Sequence, residues 1–308
     1  GAFSGNFGAS WSTNEITEDS ELLASVTGVR IVDSVGLVTV EAQESGSIDS
    51  WSIQLGVLGS LGEGATVNVA GAIAWNRIYG TVAAELRSAT VEHAAGVTVS
   101  ANSTRTIRSE TIDATLSLSL AVANVGVGIN VTTNEIGTQI LASISDSMLS
   151  AMGEINVTAN SAAAIDSVSA NASLQAAVSV DGASVGINYM GIWSTNILRQ
   201  KVNAGIDSST ISESSSINVH ATDGRDESGE QQGIRAKGVG VQVVFTVSEG
   251  AAVDVGALTQ FASNDIANSV TASITGSEEI NATGAISVDA EKMTSVESQL
   301  YTIAIGFA

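Results

Sequence analysis

Apolar and polar residues alternate with a period of two along most of the chain. Ile53, Leu55 and Val57 alternate with Ser52, Gln54 and Gly56, and Val67 and Val69 alternate with Thr66 and Asn68. Short alternating runs rich in β-branched residues predict strands. The phase of the alternation also slips. Leu116, Leu118, Leu120 and Val122 fall on even numbers, whereas Val125, Val127, Ile129 and Val131 fall on odd ones. A one-residue slip exchanges the two faces of a strand, so a bend or bulge is predicted at Ala123-Asn124. The same slip recurs where Leu174, Ala176, Val178 and Val180 pass through Asp181-Gly182 to Val185, Ile187 and Tyr189. A slip at equivalent places predicts a built-in corner between two sheets. No helix is predicted: ILRQKVNAGI at 197–206 lacks caps and sits where other stretches read as strand. ATDGRDESGEQQG at 221–233 is polar, charged and broken by glycine, which predicts a loop.

The strands recur in a fixed frame. One column is an asparagine after a small, hydroxyl-bearing or aromatic step: Asn14, Asn76, Asn134, Asn196 and Asn264, at spacings by subtraction of 62, 58, 62 and 68. A second column is the alanine closing a short strand such as VTVSA: Ala42, Ala101, Ala159, Ala221 and Ala290, at spacings of 59, 58, 62 and 69. Two columns in step over five copies define an internal repeat of about 60 residues, the mark of a solenoid. The units are a partial 1–36, then 37–96, 97–154, 155–216 and 217–285, and a partial 286–308. The predicted fold is all-β, a right-handed parallel β-helix. Coils of about 20 residues would place three in each repeat, and coils of about 30 would place two, stacked about 4.8 Å apart with inward Val, Ile and Leu as the core. A solenoid is one continuous body, so residues 1–308 are expected to form a single segment of a longer protein.

Composition agrees with that frame. An average chain of this length would hold roughly fifteen prolines; this one holds none. Proline removes a ladder donor and is excluded from strand interiors. There is no cysteine, hence no disulfide, thiolate nucleophile or thiolate metal site. Eleven Lys and Arg stand against 32 Asp and Glu, a net charge of −21. That balance opposes binding to nucleic acid and to anionic lipid, and it suits oxygen-ligated cations. No apolar run is long enough for a membrane-spanning helix, so the expectation is no membrane insertion.

Candidate sites are few. The asparagine column can present amides to a sugar, or form a structural ladder of stacked amides; turn chemistry favours the ladder. Trp11, Trp75 and Trp193, with Phe261, recur beside it, which favours packing at a corner over stacking on carbohydrate; Trp51 lies outside the register. Asp223, Asp226, Glu227 and Glu230, with Arg225 among them, cluster in the long loop as candidate calcium ligands, although no D-x-[DN]-x-[DN]-G pattern is present. Apart from that calcium, no cofactor is expected. His93 and His220 stand alone, and there is no nucleophile-elbow or phosphate-loop string.

The strings SATVEHAAGVTVSA and SSTISESSSINVHA, with the units around them, resemble the passenger repeats of large secreted bacterial surface proteins. The nearest likenesses are filamentous-haemagglutinin-type adhesins and the long repetitive leukotoxin-like adhesins of Gram-negative anaerobes. The likeness covers nearly the whole chain and is one of strands and turns, without a diagnostic motif. It implies an exported β-helical stalk or fibre that carries adhesion at the bacterial cell surface, with no enzymatic activity. Its partners would be identical chains or further repeats of the same protein, and a host-cell or carbohydrate receptor. The alternative is a polysaccharide lyase or hydrolase on the same fold. That chemistry needs a clustered base or paired carboxylates, and the basic residues here are scattered: Arg105 and Arg108 together, then Arg225, Arg235 and Lys237. An ice- or mineral-binding array would need a regular T-x-T row, and none is visible.

Overall fold

The computed structural model describes residues 2–33, 36–60, 64–120, 122–179, 182–225 and 231–307. Val180 and Asp181 of one expected corner lie outside the described residues, as do 226–230 of the long loop. The described chain is strand and turn, without helix, and 197–206 lies within a strand.

Five coils are stacked. The first holds β1 (Ala2–Ile16), β2 (Glu21–Thr27), β3 (Arg30–Val32) and β4 (Leu37–Ser60). The second holds β5 (Gly64–Arg87), β6 (Thr90–Ala94) and β7 (Gly96–Ser119), and the third β8 (Ala123–Ser145), β9 (Met148–Ala151) and β10 (Glu154–Ser179). The fourth holds β11 (Ser184–Asp207), β12 (Thr210–Glu213), β13 (Ser216–Asp223) and β14 (Gly233–Ser248). The fifth holds β15 (Ala252–Ile266), β16 (Ser269–Thr275), β17 (Ile286–Lys292) and β18 (Ser295–Phe307). Two long parallel sheets face each other: β1/β2, β5, β8, β11 and β15/β16 in the first, and β4, β7, β10, β13/β14 and β17/β18 in the second. A narrow third sheet of β3, β6, β9 and β12 closes one end.

Each repeat makes one coil. Ala65 pairs with Ala123, and Ala123 pairs in turn with Val185, so each step of the ladder is one whole repeat. The expected division into two or three shorter coils is therefore corrected. A short coil needs a corner every few residues, whereas this chain runs straight for 24 residues in β5 and again in β7. The result is a flat slab. Its long strands reach ~80 Å, and five coils at ~4.8 Å make it ~24 Å deep along the stack.

The slab changes character along its length. Near the narrow end, Val82, Ala84 and Leu86 of the first sheet, Val91 of the third, and Val97, Val99 and Ala101 of the second enclose an apolar core repeated in every coil. Next comes a layer of branched aliphatics, Ile78, Ile136 and Leu198 facing Ile48, Ile107, Ile165 and Ile234. Beyond it the interior turns polar: Asn68, Asn76, Asn124, Asn134, Ser109, Thr111, Thr132, Ser117 and Gln175 are all buried between the sheets. In this half the Val, Ile and Leu of the alternating pattern point outward. Leu118 is 48% exposed and Ile187 40%. The expectation that these aliphatics form the core holds only for the closed half.

The exchange of faces falls between the end of β7 at Ser119 and the start of β8 at Ala123, and between the end of β10 at Ser179 and the start of β11 at Ser184. Ala123 and Asn124 are the first residues of a strand, so the bend expected there is corrected to a place just before them. The corner at the narrow end is a column of left-handed residues: Gly28, Ser88, Asp146, Ser208 and Gly276, with φ between 48° and 67°. Ser and Asp tolerate that conformation better than most residues because their short side chains bond locally. The amides of Gly28, Ser88, Asp146 and Ser208 each reach a carbonyl of the next coil, as in Ser88 N to Ser145 O at 2.9 Å and Ser208 N to Thr275 O at 2.9 Å.

Candidate functional site

The asparagine column lies inside the slab. Pairing places Asn14, Asn76, Asn134, Asn196 and Asn264 one above another. Each donates from Nδ2 to the Oδ1 of the next, at 2.9, 2.9, 2.8 and 2.9 Å. Asn76 donates as well to Ser109 Oγ across the interior, at 3.1 Å. Asn76, Asn134 and Asn196 expose none of their surface, so they cannot meet a sugar. Their amides replace water for one another in the polar interior.

The aromatic residues beside this column face out, which corrects the expectation of a packed corner. Trp11 is 72% exposed, and Trp51 and Phe261 are exposed too. Arg77 lies over the Trp75 ring, 4.1 Å from its centroid. The strand pleat is the reason: with Asn76 pointing in, Trp75 must point out.

One step further along, each face carries a column of alternating charge. On the first sheet Glu15, Arg77, Glu135, Ile197 and Asp265 share one register position; Arg77 lies 3.9 Å from Glu135, and Arg199, two residues past Ile197, reaches Glu135 at 3.4 Å and Asp265 at 3.8 Å. On the second sheet Asp49, Arg108, Asp166, Arg235 and Glu297 occupy one register position in five successive coils. These residues stand one whole repeat apart in sequence, so their alternation is visible only once the coil length is known. Arg105 and Arg108, neighbours in sequence, point to opposite sides. Arg105 is buried, pairs with the Glu44 carboxylate and donates to the Tyr79 carbonyl at 2.6 Å.

Among the described residues two carboxylates are buried. Asp113 faces the polar interior beside Asn171, with no hydrogen-bond partner on either oxygen among the described residues; burial raises its pKa to about 7. Asp223 closes β13 and accepts from Asn268 Nδ2 at 2.6 Å. Burial raises its pKa, and Asn268, Lys292 and Ser161 partly offset the rise. Of the calcium candidates only Asp223 is described, because Asp226, Glu227 and Glu230 lie outside the described residues. Among the described residues no three His, Asp or Glu side chains converge as a metal site.

The outer face of the second sheet holds a shallow groove of about 440 Å³. Its floor is a hydrogen-bonding row, Asn102, Asn160 and Thr222, one from each of three coils. Asn160 donates to Asn102 Oδ1 at 2.9 Å, and Thr222 Oγ1 lies 2.6 Å from His220 Nε2. Arg225 and Glu291 add one charge of each sign to the lining. The row suits a ligand rich in hydroxyls. Among its described lining residues Glu291 is the one carboxylate, so the pair used in glycoside hydrolysis is not assembled there. Sequence inspection misses this row, because its members recur only at coil spacing and His220 stands alone in the sequence. His93 lies elsewhere, at an exposed corner 3.2 Å from Asp33.

No protein-family model, no curated protein and no solved structure matches this chain.

Proposed function

We propose that the chain is a structural and adhesive segment of an extracellular bacterial surface protein or filament, a stiff β-solenoid rod that displays its loops and polar rows. The observation that carries this reading is the stacking of five coils in continuous parallel register, one coil per repeat. Such a body is extended by adding coils, and its outer ladders (β1 and β4 at one end, β15 and β18 at the other) are open to pairing. The row of Asn102, Asn160 and Thr222 supplies the kind of amides and hydroxyls that bind carbohydrate. Immunogold electron microscopy of producing cells tests the proposal. Label along narrow fibres outside the cell is the expected result; label confined to the cell interior or to compact particles overturns it.

The second reading, a polysaccharide lyase or hydrolase, draws on the same groove, where His220, Arg225 and Glu291 come together. It predicts release of reducing or unsaturated ends from a polysaccharide panel, abolished by His220→Ala and Glu291→Gln. No release would leave the groove as a binding surface.

A further inference from the structure

In the half of the slab away from the narrow end, the usual arrangement of a water-soluble protein is reversed on both faces. Outward positions of the first sheet there form columns such as Gly5, Val67, Val125, Ile187 and Val255. On the second sheet one column reads Val57, Leu116, Leu174, Val243 and Ile305. In the stretches 3–11, 65–75, 123–131, 185–193 and 253–261 of the first sheet, and 53–57, 112–118, 170–178, 239–247 and 301–307 of the second, no outward-facing described residue is charged. The inward positions at the same height are mostly Asn, Ser, Thr, Gln and Gly, with Asp113 among them. The reversal occurs within single strands. In β5 the inward series runs from Thr66 and Asn68 to Ile78, Val82 and Leu86, while the outward series runs from Val67, Val69 and Ile73 to Arg77, Glu85 and Arg87.

In water this half is unfavourable twice over, since it exposes apolar surface and buries polar groups. In an apolar medium both choices become favourable. Inward-polar, outward-apolar alternation is how strands meet lipid. The rise from Ala65 to Trp75 is ~33 Å, close to the ~30 Å of a bilayer's hydrocarbon core. The inner border carries Trp11, Trp75 and Trp193, the residue type that collects at membrane interfaces. Beyond it come the alternating charge columns, in which Arg77, Arg108, Arg199 and Arg235 stand among Glu15, Asp49, Glu135, Asp166, Asp265 and Glu297, a charged border at the depth of the headgroups. A flat protein partner would cover one face and leave the other bare. The apolar band occupies both faces, which a fluid solvent covers together.

We infer that the half of the slab carrying residues 65–75 and 112–118 is a lipid-contacting surface whose partner is the acyl region of a bilayer. This reverses the expectation drawn from net charge, because the acidic residues sit elsewhere and the band has none facing outward. It is independent of the rod proposal. The open edges of the first and last coils are the part hydrocarbon suits least, so the test reads the faces by substitution.

The 308-residue chain, diluted from urea into dioleoylphosphatidylcholine vesicles, is expected to float with the lipid, and brominated acyl chains should quench its tryptophan emission. Leu118→Asp combined with Ile187→Asp puts one charge on each face of the band and should cut the floated fraction at least tenfold. Thr104→Asp combined with Asn203→Asp, on the same two faces outside the band, should leave it unchanged. Circular dichroism should show the same β signal for all three proteins. Failure of the native chain to float, or equal flotation of the two double variants, overturns the inference. Self-association without lipid that Leu118→Asp with Ile187→Asp abolishes also overturns it, and assigns the band to a second copy.

Discussion

Asn134 uses both halves of its amide: it accepts from Asn76 at 2.9 Å and donates to Asn196 at 2.8 Å. Asn134→Ala strands the Asn196 acceptor, leaves the Asn76 Nδ2 donor with only its serine contact, and opens a void. A loss of about 2–4 kcal/mol is expected, read as a lower urea midpoint. Asp113 behaves differently. Burial raises its pKa from 3.8 to about 7, so between those values the folded chain keeps a proton that the unfolded chain has released. Its favourable contribution is fully present below about pH 4 and is lost as pH rises towards 7. Asp113→Asn, the residue type that Asn171 supplies in the next coil, should abolish that slope. Unfolding monitored from pH 4 to 8 should show no change at the acid end and a gain on the order of 4 kcal/mol above pH 7. The asparagine column is legible in sequence because identical residues recur. Asp113 is not, because a lone Asp among Ser and Thr carries no sign of which way it points.

At the scale of the element, the long strand is the unit that short-range pattern undersells. Short period-two runs are visible in β5 and β8, and so are the slips that become corners. Their fusion into straight strands as long as β5, with its 24 residues, is not. Glycine and alanine steps such as Gly71 and Ala72 interrupt the apolar pattern without interrupting the ladder. Sheet-to-sheet distance matters here. A β-carbon at Gly128 would lie 2.9 Å from the Asp113 carboxylate and 3.0 Å from the Asn171 amide of the facing sheet, so glycine lets the two sheets close over polar side chains. If one repeat is one coil, deleting 123–184, the full register step from Ala123 to Val185, should leave a shorter folded solenoid with a cooperative melt. Deleting about 20 residues from the same place should destroy the fold, because every following coil would pair out of register.

At the scale of the molecule, the charge columns govern how ends meet. The first coil presents Glu15 and Asp49, and the last presents Asp265 and Glu297, at equivalent positions. Stacking identical chains end to end would set carboxylate against carboxylate at about 4.8 Å, so the open ladders favour a coil that carries Arg there. Asp265→Arg with Glu297→Arg supplies that match between chains, while giving up the Arg199–Asp265 contact and the carboxylate beside Arg235 within the chain. This variant should form filaments by electron microscopy and sedimentation under conditions where the native chain stays dispersed, and added salt should weaken them.

Strand content, the repeat of about 60 residues and the corners were set by local order. Pleating imposes period two, a slip reverses faces, and recurring residues mark a frame. Which face lies inside was decided only when the two sheets met. Alternation is symmetric: it separates Val67 from Asn68 and Val82 from Thr81 without saying which one is buried. In the closed half, the third sheet completes an apolar core and the aliphatics turn in. In the other half, Asn, Ser and Thr from the two facing sheets bond across the gap, as Asn76 does with Ser109, and the same pleat sends the aliphatics out.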